Sequence, residues 1–83
     1  MTTKHPRPTV SKLVNDIASG DILVNWANPD AEPTYHEVAA TDRTTGFRKR
    51  LYVSPDLPDG RHIVTMHRQS SLIVVDRRKE LMR

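Results

Sequence analysis

The stretch FRKRLYV, Phe47 to Val53, brings three consecutive basic residues together with two aromatic ones. Strand alternation puts Phe47, Lys49, Leu51 and Val53 on one face and Arg48, Arg50 and Tyr52 on the other. Two guanidinium groups and a phenol on an exposed sheet face have the chemistry of nucleic-acid binding, in which arginine meets phosphate and a ring stacks on a base. Lys49 is the misfit, a charge on the apolar side. The competing account is that an antiparallel sheet commonly keeps one wet face, which arginine often occupies. Arg43, Arg61, His67 and Arg68 on neighbouring segments, with Arg77, Arg78 and Lys79 further on, enlarge the basic surface if folding gathers them.

Other chemistries are poorly provided for. His62 and His67 are five apart in one expected strand, so they point to opposite faces and do not share an ion. No His-x-x-x-His helix appears, a site at His36 would need another histidine, such as His5, brought to it by the fold, and no metal site or cofactor is expected. Ser70 and Ser71 lie in a turn with no nucleophile elbow. Asp56 and Asp59 lie in a Pro-rich turn where Asp serves its own backbone. The three glycines, at positions 20, 46 and 60, are too dispersed to form a phosphate loop. These absences favour a non-enzymatic binding protein, contacting nucleic acid through Arg48, Arg50, Tyr52, Arg43, Arg61, Arg68, Arg77 and Arg78 without strong sequence specificity.

The alternative class is protein binding. In QSSLIVV, the residues Gln69, Leu72, Val74 and Val75 resemble the short peptides that dock in bacterial sliding clamps, with the usual final aromatic missing. That resemblance implies a larger partner, such as a replication or other nucleic-acid-processing protein. Trp26, beside the loop NPDAEPTY, offers a further anchor, although a lone Trp often fills a small core. On this reading an interaction module or inhibitor binds through an edge strand, Trp26 and the Pro-rich loop, with Tyr35, Gln69 and Leu72 contributing.

The elements that must position these residues follow from periodicity. In TVSKLVNDIASG, Val10, Leu13, Val14, Ile17 and Ala18 recur at the spacing of an amphipathic helix, with Thr9 to cap it and Gly20 to end it. After Gly20 the period shortens to two. DILVNWA reads as a strand with Ile22, Val24 and Trp26 on one face; NPDAEP breaks the chain; TYHEVAAT and FRKRLYV form a hairpin around DRTTG. SPDLPDG is a second breaker, and RHIVTMH and LIVVD read as another hairpin. LIVVD is apolar on both faces, implying cover on both sides, by the helix or by a second subunit. DRRKELMR ends in a helical turn capped by Asp76. The expectation is an α+β domain, with the N-terminal amphipathic helix packed on a bent antiparallel sheet of four or five strands. In element order it resembles a small SH3-like or Sm-like, partly open barrel, and no motif supports a family.

Composition frames this. A chain of 83 residues has room for one domain, read as residues 9–83 after a disordered lead-in at 1–8. The hydrophobic share is 36% and cysteine is absent, which excludes disulfide staples and favours a soluble, cytoplasmic protein that does not enter a membrane. Charge is polarised: three basic against six acidic residues over Met1 to Asp42, then ten against four in the remainder. A basic second half suits an anionic partner unless the acidic half folds against it. A homo-oligomer, stabilising so lean a core, is the third reading.

Overall fold

The computed structural model describes residues 7–26, 32–43 and 46–81. These form an antiparallel sheet of β1 (Thr9–Leu13), β2 (Ile22–Asn25), β3 (Thr34–Arg43), β4 (Arg48–Ser54), β5 (Ile63–His67) and β6 (Ser71–Val75), followed by a short helix, α1 (Arg77–Leu81). In space the order is β1-β6-β2-β3-β4-β5, so β1 and β5 are the edges of an open sheet.

The long strand β3 serves both halves. Thr34 to Glu37 register with β2, and Glu37 to Arg43 with β4, with a shift between Val38 and Ala40. A bulge of this kind bends a strand and raises its twist. The carbonyl of Ala39, passed over in the register, accepts a bond from the Ser19 hydroxyl at 3.0 Å. One face of the sheet collects Leu23, Val38, Leu51, Val53 and Val74 from the strands and Val14 and Ile17 from the segment after β1, with Leu57, Val64, Met66 and Leu72 packed around them. Buried His36 joins this layer with both ring nitrogens engaged: Nδ1 with the Pro55 carbonyl and Nε2 with the Thr34 hydroxyl, each at 2.7 Å.

The expected N-terminal helix does not form. Thr9 to Leu13 instead run along β6, from Thr9 opposite Val75 to Leu13 opposite Ser71, and only a 3-10 turn, Val14–Asp16, follows. The helical spacing is used in half: Val14 and Ile17 are 0% exposed, while Val10 and Leu13 remain 44% and 46% exposed. A short isolated helix is marginal in water, and the free edge of β6 needs backbone partners that an extended segment with β-branched Thr9 and Val10 can supply. Gly20, at φ +100°, closes the turn into β2 rather than a helix. Beside it Asp21 Oδ2 accepts bonds from the Ala18 N–H at 2.9 Å and from Lys12 Nζ at 3.0 Å.

The sheet therefore has six strands rather than four or five, and it is not the partly closed barrel expected. Nor do the last two strands pair as a hairpin: β5 lies on β4, while β6 lies between β1 and β2. The turn joining them is held by the 3-10 segment, through Val14 N–H to the Ser70 carbonyl at 2.7 Å and Asn15 N–H to the Arg68 carbonyl at 2.9 Å. A polar linker of a few residues suits a hairpin and a corner between sheet halves alike, so local sequence does not separate them.

The hairpin of β3 and β4 is as expected, and Asp76 caps α1, its Oδ1 accepting from the N–H groups of Arg78 and Lys79 at 3.1 and 3.2 Å. In β6, Val74 faces the core and Val75 is buried on the other side, whereas Ile73 is exposed. Of the expected lead-in, residues 1–6 lie outside the described residues. Arg7 is placed, paired with Glu80 and 5.2 Å from the Tyr35 ring centroid. Residues 27–31 of the Pro-rich loop and Thr44 and Thr45 of the β3–β4 turn also lie outside the described residues. Among the described residues no helix is long and apolar enough to cross a membrane.

Candidate nucleic-acid interface

Burial of Leu51 and Val53 in the core turns Arg48, Arg50 and Tyr52 to the outward side of β4. Arg50 Nη1 donates to the Tyr52 hydroxyl at 3.2 Å and lies 4.0 Å from Asp42 Oδ2. The Tyr52 oxygen foremost, and Asp42 to a lesser degree, raise the Arg50 pKa above its ordinary value. On β5 the residues opposite are His67 for Arg48, Thr65 for Arg50 and Ile63 for Tyr52. Lys49 does point inward, where its ammonium caps the 3-10 segment by donating to the carbonyls of Asn15 at 3.1 Å and Ile17 at 2.5 Å. The misfit of the sequence pattern is thus a structural strut, with its charge spent on backbone.

Phe47 is not buried with Leu51 and Val53. It lies in the turn after Gly46, whose φ is +79°, and is 67% exposed. The ladder continues past β4 through the Arg68 N–H, which donates to the Phe47 carbonyl at 2.7 Å. Above the turn, the Phe47 ring centroid is 5.9 Å from that of His67, with the planes tilted by 34°, and 5.7 Å from the Arg68 guanidinium carbon. An opening of about 300 Å³ is lined here by Leu13, Asn15, Phe47, His67, Arg68 and Gln69. Alternation gave the parity of Phe47 correctly and missed that the core ends before it. The usable signal was its position directly after a turn glycine.

The basic residues divide. Arg43 lies opposite Lys49 at the turn end of β3 and so shares the face of Lys49 rather than that of Arg48 and Arg50, while Arg68 stands over Phe47 at the same end of the hairpin. Arg61 is folded onto Asp59 within its own loop, Nε to Oδ2 at 2.6 Å. The Arg61 backbone N–H, and then its guanidinium, hold the Asp59 carboxyl below its ordinary value. Arg77 donates to the Gly20 carbonyl at 3.2 Å, and with Arg78 it lines a separate concavity alongside Val10, Lys12 and Asp21. Since β2 and β3 stand between β6 and β4, these two residues extend a different part of the surface.

The alternative protein-binding set is also dispersed. Trp26 is exposed just beyond β2, Tyr35 is half-buried under Arg7, Leu72 packs on the core, and Gln69 is exposed with its N–H donating to His67 Nδ1 at 3.1 Å. Val74 and Val75 are buried in β6, which removes two anchors of the peptide-like segment from the surface. In comparison with known proteins, no family model matches the chain, and no curated protein or solved structure is significantly similar to it.

Proposed function

We propose that the chain is a non-enzymatic nucleic-acid-binding protein that holds phosphates on the outward face of β4 without strong sequence specificity. The observation that carries this reading is that Arg48 and Arg50 alternate on the outward face of β4, Arg50 beside Asp42, with Arg43 and Arg68 at the turn end of the same hairpin. Guanidinium groups form bidentate bonds to phosphate and remain charged at any physiological pH. Among the described residues no element has the length of a recognition helix, α1 spanning only Arg77 to Leu81, so backbone contact outweighs base readout. Fluorescence anisotropy with labelled oligonucleotides, titrated over salt, tests it: binding falls linearly on a log–log plot, with a slope of about 0.7 to 0.9 per phosphate contacted. Absence of binding at low salt refutes it.

A second reading, a protein-interaction module, draws on Trp26, an exposed aromatic beside a strand end, and on the two open edges β1 and β5. Binding of that kind tolerates salt, which separates the two.

A further inference from the structure

We infer that Phe47 is a stacking platform for an unpaired nucleobase, so that the ligand is single-stranded nucleic acid. This rests on the phosphate-binding reading of β4 and adds a residue and a substrate class to it. Large exposed apolar side chains are ordinary when scattered, but Phe47 is set among groups that suit a base. Arg68 stands 5.7 Å from its ring centroid, and the His67 ring lies alongside at 5.9 Å. A base stacks on aromatic rings and guanidinium planes alike, and this corner offers both.

The opening beside the ring selects between occupants. At about 300 Å³ it lies at the lower end of small-ligand sites. Its lining couples Phe47 and Leu13 to the polar groups of Asn15, His67, Arg68 and Gln69. An apolar side chain from a protein partner would cover those polar groups without pairing them, at a cost in affinity. A base edge carries donors and acceptors that pair with amides and imidazole. His67 Nδ1 already accepts from the Gln69 N–H, so the neutral ring carries its proton on Nε2, as a donor. Arg43 and Arg68 share the Phe47 end of the hairpin and offer phosphate contacts beside the base position, while Arg48, next in the chain, turns to the other face of β4. In a duplex both faces of each base are covered by neighbours, and Phe47 has nothing to stack on.

The test compares a labelled pyrimidine DNA strand, the same strand annealed to its complement, and the RNA of the same sequence. The wild type is measured with Phe47→Ala, Phe47→Trp and the double variant Arg48→Ala, Arg50→Ala. Tighter binding of the single strand, a loss of about tenfold for Phe47→Ala confined to single strands with the salt slope unchanged, and recovery by Phe47→Trp with quenched emission are expected. A loss confined to DNA or to RNA supports the platform and identifies its ligand. Equal binding of single strand and duplex, with Phe47→Ala like the wild type while the arginine variant is weakened, overturns the platform and leaves the phosphate reading intact. A Phe47→Ala loss equal on single strand and duplex overturns it too. No binding to any probe at low salt removes both readings.

Discussion

Lys49 and Arg50 are neighbours of like charge with opposite duties. The ammonium of Lys49 bonds two carbonyls on the core side, whereas Arg50 is set by Tyr52 on the outward side. Lys49→Met is therefore expected to cost about 1–3 kcal/mol in urea unfolding, as two carbonyls lose a charged donor, with oligonucleotide affinity nearly unchanged. Arg48→Ala with Arg50→Ala is expected to do the reverse, leaving the urea midpoint close to the wild type and lowering the salt slope by about 1.4–1.8. His36→Phe keeps a ring in the core but deletes the bonds to Thr34 and Pro55; about 2 kcal/mol of destabilisation is expected by the same assay. Asp59 supplies a pH dependence. Its folded pKa is lowered, so its contribution is present above the unfolded value near 3.8 and disappears as pH falls through the folded one. A carboxyl NMR titration should place its midpoint below 3.8, and Asp59→Asn should remove that part of the acid limb.

At the scale of elements, the segment after Pro8 is the informative one. An amphipathic helix would bury Val10, Leu13, Val14 and Ile17 together, whereas β1 and its 3-10 turn bury only the last two. Alanine at Ile17 should cost about 2–4 kcal/mol and at Val14 somewhat less, with Val10→Ala and Leu13→Ala each below about 1 kcal/mol, as read from denaturant midpoints. Four comparable losses would restore the helix. The sequence misled here because apolar spacing records which residues face inward and not the conformation that turns them. A strand entering a 3-10 turn and a helix can share the same spacing, and the decision fell to the edge of β6, remote in sequence.

For the whole molecule, charge is redistributed rather than separated by sequence half. Arg7 with Glu80 and Arg50 with Asp42 join the two halves, while Lys12 with Asp21 and Arg61 with Asp59 stay within theirs. Arg48 and Arg50 face outward from β4, Arg43 and Arg68 meet at the turn end of its hairpin, and the Arg61 and Arg77 charges are engaged elsewhere. The net charge of +3 is thus a poor guide to what an anionic partner meets.

Local sequence alone determined the two faces of β4 by alternation, the hairpin with β3 by its turn residues and the cap at Asp76, because each depends on residues a few positions apart, where local geometry is the whole constraint. Tertiary structure alone decided that Thr9 to Leu13 extend along β6, that β5 and β6 part to different neighbours, that Lys49 finds carbonyls and that Phe47 stands outside the core beside Arg68. Each of these depends on which backbone edges are left to satisfy and where the apolar interior ends. Those are properties of the assembled sheet, and no short window of sequence contains them.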